Sequence, residues 1–157
     1  MTDRPVYLTP EAREKLEEEL NHLNKVTRVE VANRIAEAKE LGDLSENSEY
    51  HAARNEQSFV VGRIRELEHI LRHAQMIPSE GAPNTGFVQI GSTVTVRDED
   101  DEEETYRIRG SVEANPREHI ISNESPIGKA LLGKKAGDKV TVQSPAGSYK
   151  LVVVKVV

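Results

Sequence analysis

The stretch GDLSENSEY, Gly42–Tyr50, separates two long helical patterns and thereby decides how the N-terminal half of the chain folds. From about Pro10 to Leu41, apolar or small residues recur at spacings of three and four, which predicts one long helix. From Tyr50 onwards the rhythm continues without interruption, as in the seam of a coiled coil. The first seam consists of Leu16, Leu20, Leu23, Val31, Ile35 and Ala38, and the second of Tyr50, Ala53, Gln57, Val60, Ile64, Leu67, Leu71 and Ala74.

The short connection between these helices predicts that they fold back on each other. We expect an antiparallel coiled-coil hairpin within residues 1–77, with its tip at residues 42–50. About 30 residues per helix, at ~1.5 Å each, give a rod of roughly 45 Å. The seam of the first helix slips between Thr27 and Val31, where we expect local unwinding or solvent exposure.

The tip carries two carboxylates, Asp43 and Glu46, three residues apart. If the turn around them is helical, they share a face and form half of an oxygen-ligand site for a divalent cation such as Mg²⁺. The other ligands then have to come from a partner or from substrate phosphates. The structural alternative is that Asp43 or Ser45 caps the second helix, with Glu46 and Glu49 favourably placed in its first turn.

Other side chains near the tip also have two interpretations. Lys39 and Arg54 flank the tip, one on each helix, and are either solvated surface residues or contacts to phosphate groups of a partner. Ser45 either hydrogen-bonds a water or phosphate or belongs to the turn itself. Tyr50 could stack on a base, but its place in the seam favours packing between the helices.

The pattern changes near Ile77, where PSEGAPNTG predicts a linker over residues 78–86. Beyond it, runs rich in β-branched residues alternate with turn signals and predict a mainly β domain over residues 87–157. The segment SPIGKALLG, with Pro126 near its start and Gly133 near its end, predicts one short helix packed on the sheet. The expected fold class is therefore α+β. The predicted strands lie in VQIGSTVTV, ETYRIRGSV, KVTVQSPAG and SYKLVVVKVV.

Composition excludes several classes of function. The net charge of −6 is untypical of proteins that bind nucleic acid on their own, since these usually carry a concentrated basic surface. The acidic run Asp98–Glu104 predicts a solvated hairpin loop. Without cysteine there is no disulfide, thiolate chemistry or cysteine zinc site. His69 and His73 lack an evident third ligand and are interpreted as surface histidines. The absence of a long apolar stretch or a signal-peptide pattern predicts a cytoplasmic protein without a membrane partner.

Four segments of the chain are distinctive when taken together: LTPEAREKLEEELNHL, ELGDLSENSEYHAARNEQ, GRIRELEHIL and SPIGKALLGKKAGD. With these segments the chain resembles the GreA/GreB family of bacterial transcript cleavage factors, and the resemblance covers nearly the whole chain. The most specific part of the resemblance is the tip combined with the segment at 125–138. Leu41 and Ser48 depart from the family, since many relatives have His and Ala at these positions.

The resemblance implies that the coiled coil enters the secondary channel of backtracked RNA polymerase and stimulates Mg²⁺-dependent cleavage of the extruded RNA 3′ end by the polymerase itself. Asp43 and Glu46 are implied to help hold the second Mg²⁺, jointly with the polymerase and not tightly in the free protein. Lys39 and Arg54 match basic sites that contact the RNA. The C-terminal domain is implied to be FKBP-like and to dock on the channel rim, partly through residues 125–138. The protein is thus expected to be an accessory factor, not an enzyme, and monomeric when free.

Three other functions stay open. A relative that occupies the channel could inhibit transcription without stimulating cleavage, although the retention of both acidic residues argues against it. A coiled-coil scaffold without a chemical role predicts that removing charge at the tip is harmless. A prolyl isomerase needs an aromatic-lined pocket, and the C-terminal domain offers few aromatic residues, namely Phe87, Tyr106 and Tyr149.

Overall fold

A computed structural model describes residues 4–79 and 84–157. The chain divides into a unit formed by Arg13–His73 and a second unit that combines the segment ending at Ala12 with the chain from Ala74 onwards. The ends of the predicted hairpin region, residues 1–77, thus belong to the C-terminal unit. Within the predicted linker at 78–86, residues 80–83 lie outside the described residues. The α+β fold class, with a helical hairpin and a mainly β domain, is confirmed.

The hairpin unit consists of helices whose apolar seams face each other. Helix α1 spans Pro10–His22, α2 spans Arg28–Glu40 and α3 spans Ser48–Arg72. The buried residues are those predicted from the heptads: Leu16, Val31, Ile35 and Ala38 on one side, and Ala53, Val60, Ile64 and Leu67 on α3. Among the helices of the described chain, none has both the length and the apolar character of a membrane span.

A π-helical segment, Leu23–Thr27, joins α1 to α2 next to the predicted slip of the seam. One wide turn absorbs an extra residue, so that the seam positions on both sides of it, Leu16 and Val31, are buried. Val26 and Val29 instead point outwards, 40% and 52% exposed. The expectation of a local irregularity with solvent exposure is confirmed.

Ion pairs across the hairpin show that its helices run antiparallel. Arg34 Nη2 lies 2.6 Å from Glu56 Oε2. The Arg63 guanidinium binds both oxygens of Glu19, at 2.7 Å through Nε and 3.0 Å through Nη2. The hydrogen bond from Arg63 lowers the pKa of Glu19 below its ordinary value.

The C-terminal unit is built on a five-stranded sheet whose strands, numbered along the chain, are β3 (Thr93–Arg97), β4 (Glu103–Arg109), β5 (Ile120–Ser122), β6 (Lys139–Ser144) and β7 (Gly147–Val156). Their order in the sheet is β5-β4-β3-β7-β6. Its neighbours are antiparallel except for β4 and β5, which are parallel. Four of these strands fall in the four predicted segments, although β3 begins later than predicted, and β5 was not predicted.

A second, two-stranded sheet was not expected from the sequence. Strand β1, Val6–Leu8, pairs in parallel with β2, Ala74–Met76. Immediately after β1, the N–H and hydroxyl of Thr9 donate to the two carboxylate oxygens of Glu113, at 2.9 and 2.7 Å. The same Thr9 hydroxyl accepts from Ala12 N, so that it caps α1.

The predicted short helix is present as α4, Pro126–Leu131, and Ser125 caps it by accepting from Gly128 N at 3.1 Å. Leu131 is fully buried in the core of the sheet. The core cluster on this sheet consists of Val88, Val94, Val96, Ile108, Leu131, Val140, Val142, Leu151 and Val153.

The acidic run is largely the predicted hairpin connection between β3 and β4. Asp98 folds it by accepting from Asp100 N and Glu102 N, at 2.8 and 2.9 Å. The last two acidic residues of the run lie within β4, and Glu103 pairs with Arg97 at 2.7 Å.

Candidate metal-binding tip of the hairpin

The tip loop leaves α2 through the predicted glycine. The N–H of Leu41 donates to Ala38 O at 3.2 Å, and Gly42 follows with φ +111°, a conformation that favours glycine. Residues 44–46 form bends, and no residue from 43 to 47 is helical. The shared helical face considered for Asp43 and Glu46 is therefore absent, although both residues line one depression.

Asn47 caps α3, in place of the Asp43 or Ser45 cap considered from the sequence. Its Oδ1 accepts from Tyr50 N at 3.0 Å, and its Nδ2 donates to Ala38 O at 2.7 Å. Free N–H groups at a helix start and free carbonyls at a helix end need such partners. Because Asn47 supplies both, neither acidic residue is needed as a cap.

Asp43 is held by Ser45 in a local turn. One carboxylate oxygen, Oδ1, accepts from the hydroxyl of Ser45 at 2.8 Å and from its N–H at 3.1 Å. The hydroxyl first, and the N–H second, lower the pKa of Asp43 below its ordinary value, because both bonds favour the ionised form. Within the described chain, Oδ2 of Asp43 accepts no hydrogen bond. Ser45 is thus a turn residue that orients this carboxylate.

Glu46 lies in the same depression as Asp43 and is exposed. Its carboxylate makes no hydrogen bond or ion pair with any residue that the structure describes. The depression has a volume of about 390 Å³ and is lined by Leu41, Asp43, Glu46, Asn47, Ser48 and Glu49. Over the described residues, there is no group of three or more His, Cys, Asp or Glu side chains that could hold a metal ion. Metal binding by Asp43 and Glu46 therefore stays a prediction. Glu49 lines the same depression as these two carboxylates.

The two basic residues predicted to flank the tip lie outside this depression. Lys39 is exposed in the last turn of α2. Arg54 is exposed on α3 and donates from Nη1 to Gln57 Oε1 at 2.7 Å. Contact of either residue with RNA stays a prediction. Tyr50 packs against the cluster of Val31, Ile35 and Ala53, which agrees with its seam position.

Sequence reasoning missed a second depression, about 610 Å³ in volume, on the side of the hairpin near the tip. The only sequence signal for it is the spacing of Glu37 and Glu40, which are three residues apart on α2 and both line it. The lining residues are Arg34, Glu37, Ala38, Glu40, Leu41, Glu49, Ala52 and Ala53.

The remaining candidates behave as surface residues. The rings of His69 and His73 stack with centroids 4.3 Å apart, and His73 Nδ1 lies 2.9 Å from His69 O. Phe87 and Tyr149 are 52% and 40% exposed. Such exposed rings do not form the enclosed aromatic pocket that a prolyl isomerase needs.

Comparison with known proteins defines the class of protein to which this fold and tip belong. A family model described as "Transcription elongation factor, N-terminal" matches residues 6–76. A second, described as "Transcription elongation factor, GreA/GreB, C-term", matches residues 82–157. Together they span nearly the whole chain, and the class is that of transcription elongation factors.

Relatives narrow this class to one family. Transcription elongation factor GreA of Chloroflexus aggregans is 57% identical over 157 residues, 99% of each chain. The GreA of Thermoanaerobacter pseudethanolicus is 53% identical over 154 residues, 98% of each chain. Among solved structures, GreA factor homolog 1 (Gfh1) of Thermus thermophilus is 30% identical, with 98% of this chain and 99% of that chain covered and a TM-score of 0.44. The chain belongs to the GreA/GreB family of transcription elongation factors.

Proposed function

We propose that this protein inserts its hairpin into the secondary channel of RNA polymerase and stimulates the polymerase's own Mg²⁺-dependent cleavage of the extruded RNA 3′ end. The factor thereby rescues backtracked or arrested complexes. It acts as an accessory protein in the cytoplasm, where its partner works, and leaves the chemical step to the polymerase. Membership of the elongation factor family supports this proposal, and the geometry of the tip supports the residue roles.

One observation carries the proposal: of the four carboxylate oxygens of Asp43 and Glu46, only Asp43 Oδ1 takes part in the hydrogen bonds of the described tip. Asn47 satisfies the helix ends, and Ser45 holds one oxygen of Asp43. Asp43 Oδ2 and both oxygens of Glu46 are left without partners among the described residues. Two exposed carboxylates that face one depression repel each other, and a cation bound between them removes that cost.

The donor set of the tip fits Mg²⁺, which prefers oxygen ligands and usually takes one or two carboxylates together with waters and phosphates. Asp43 and Glu46 would hold the ion, with the remaining positions completed by the polymerase and the RNA. A second ion in such a site lowers the pKa of its bound water and stabilises charge on the scissile phosphate. The hydrogen bonds from Ser45 that lower the pKa of Asp43 also hold its carboxylate in one orientation.

Two further surfaces support delivery of the tip. Lys39, exposed at the end of α2, and Arg54, exposed near the start of α3, would steer the negatively charged RNA segment. Residues 125–138, around α4, would form part of the surface that docks at the channel rim. These contacts would fix how deeply the tip enters the secondary channel, while Asp43 and Glu46 would supply the ligands for Mg²⁺.

The test is RNA cleavage in stalled, backtracked bacterial elongation complexes with Mg²⁺. Asp43→Ala and Glu46→Ala are compared with the parent protein and with Glu68→Ala, which removes an exposed carboxylate elsewhere on α3. We expect the parent and Glu68→Ala to release short 3′ fragments. Each tip variant should lose roughly 100-fold or more in rate, as expected for loss of a ligand to a catalytic metal.

The affinity of each variant for RNA polymerase must be measured on the same samples. A variant that no longer binds polymerase would lose cleavage whether or not the substituted residue binds Mg²⁺. Labelled parent protein displaced by each variant gives relative affinities. Unchanged cleavage by both tip variants would contradict the metal role and favour a scaffold. Suppression of transcription by the parent without fragment release would identify an inhibitor that occupies the channel.

A further inference from the structure

Asn47 joins the two helix ends at the tip through one side chain. It receives the Tyr50 N–H at 3.0 Å and donates to the Ala38 carbonyl at 2.7 Å. In the tip segment 41–49, all of which the structure describes, Asn47 is also the one half-buried residue, while the others are exposed. One amide group therefore satisfies a terminal N–H of α3 and a terminal carbonyl of α2 at the same time.

We infer that Asn47 is a positioning residue for the Asp43–Glu46 pair, a role that rests on the proposed function. Helix α2 ends at Glu40, one turn or less beyond Ala38, and the loop enters α3 at Asn47, so the bond between Asn47 and Ala38 closes the loop near its base. Asp43 is bonded only inside the loop, to Ser45, among the described residues. Glu46 is the covalent neighbour of Asn47, so closure of the loop sets where both carboxylates lie.

Among the described residues, one other side-chain contact joins the loop to a helix. His51 Nε2 lies 3.3 Å from the Ser45 carbonyl oxygen, in an exposed position. A contact of this length is weaker than the 2.7 Å bond that Asn47 makes. Asn47 is therefore the stronger of the two restraints on the loop.

The choice of asparagine supports this role, because capping alone does not require it. Serine, threonine and aspartate cap a helix N-terminus about equally well. Of the usual capping residues, asparagine combines a side-chain oxygen acceptor with an N–H donor. That donor is what reaches Ala38, and it links the helices in addition to capping one of them.

Asp43 and Glu46 must be placed accurately. Under the proposed function they share the coordination of one Mg²⁺ ion with the polymerase and the RNA, and these partners fix the position of the ion. Errors of about 1 Å in such constellations reduce rates by roughly 100-fold. Loosening the loop should therefore impair cleavage while both carboxylates are still present.

The experiment separates linking from capping. Asn47→Ser keeps an oxygen that caps α3 but loses the donor to Ala38, and Asn47→Ala loses both. Asn55→Ser is the matched control, since Asn55 is exposed on the same helix. Cleavage in backtracked complexes is measured across a Mg²⁺ titration. We expect Asn47→Ser to lose roughly tenfold in rate or in Mg²⁺ half-saturation, close to Asn47→Ala, with Asn55→Ser and polymerase binding unchanged.

A second readout requires no polymerase. Amide hydrogen exchange in the free protein should be faster over residues 41–46 in Asn47→Ser, while the Tyr50 amide stays protected by the serine cap. Parent-like cleavage by Asn47→Ser with impaired Asn47→Ala would reduce Asn47 to a cap and overturn the inference. Unchanged exchange of the loop in Asn47→Ser would overturn it as well.

Failure of the proposed function has a different signature. In that case the parent releases no fragments, or Asp43→Ala cleaves normally. If instead the parent is active, Asp43→Ala is inactive and Asn47→Ser is normal, only the positioning role fails. Where cleavage is absent altogether, the exchange measurement alone decides whether Asn47 holds the loop.

Discussion

Gly128→Ala should destabilise the C-terminal unit, even though alanine is ordinarily the better helix former. Gly128 lies in α4, where an ideal Cβ would stand 2.0 Å from the carbonyl oxygen of Ser122. Side-chain Cβ atoms essentially never come closer than 3.0 Å to such an atom. Either α4 or β5 must therefore shift by at least 1.0 Å, the difference between 3.0 and 2.0 Å.

The expected cost combines three effects. Forced repacking costs about 1–3 kcal/mol. The shift also disturbs the Ser125 cap, whose hydroxyl donates to Ser122 O at 2.6 Å and accepts from Gly128 N at 3.1 Å, and losing a cap costs about 1 kcal/mol. The intrinsic helix preference of alanine offsets about 1 kcal/mol. The net loss is about 1–3 kcal/mol, or roughly 4–8 °C in Tm for each kcal/mol in a unit of this size.

The assay is hydrogen exchange under increasing denaturant, read residue by residue, because the chain has two units. Ile108 and Val142, both fully buried, report on the C-terminal unit. Gly62→Ala is the matched control: Gly62 lies in α3, and a Cβ there meets nothing within 4 Å. It should stabilise the hairpin by about 1 kcal/mol. A Gly128→Ala protein as stable as the parent would refute the reasoning from the close approach.

Two further predictions concern carboxylates whose pKa is lowered. Ser45→Ala removes the hydroxyl that is the largest cause of the low pKa of Asp43. The pKa of Asp43, measured by NMR, should therefore rise towards its ordinary 3.8, and the acidic side of the pH profile of the cleavage rate should move to higher pH. An unchanged Asp43 pKa would contradict this. Glu19→Gln should cost about 0.5 kcal/mol in denaturant unfolding, because it weakens a partly exposed pair with Arg63. Since the pKa of Glu19 is lowered, the difference in unfolding free energy between the parent and Glu19→Gln should be fully present above pH 4.5, the ordinary pKa, and should vanish as the pH falls through the folded-state pKa. A difference that persists in acid would exclude the charge of Glu19 as its cause.

The hairpin was predictable because its signal is local and repeated. Every buried position of α2 and α3 is one of the predicted seam residues. Even the irregularity could be located, since a slip in the apolar rhythm must be absorbed within about one turn. Its form, the π-helical segment Leu23–Thr27, could not be read from spacing alone.

The strands that were missed are short and depend on distant partners. β1 and β2 have three residues each and pair across residues such as Val6 and Ala74, and β5 also has three. Three residues give almost no period-two signal. β2 was instead included in the helical rhythm, because Ala74 continues the heptad spacing by coincidence.

At the tip, the acidic residues Asp43 and Glu46 could be identified from the sequence. The residue that caps α3 in their place, Asn47, could not. Asp43 or Ser45 was the expected cap, because both are good capping residues near the predicted helix start. The structure begins α3 later, at Ser48, which makes Asn47 the cap. This later start of α3 changes the roles of Asp43, Ser45 and Asn47, because it moves the capping position from the first two residues to the third.

By itself, the sequence determined which residues form the seams, which acids stand at the tip and that a mainly β domain follows, because these depend on composition and on short-range periodicity. The tertiary structure alone decided which tip residue joins the helix ends and which carboxylates stay free. The bond from Asn47 to Ala38 spans nine residues. Its 2.7 Å length is set by how the two helices pack, and that distance is not encoded in any local pattern.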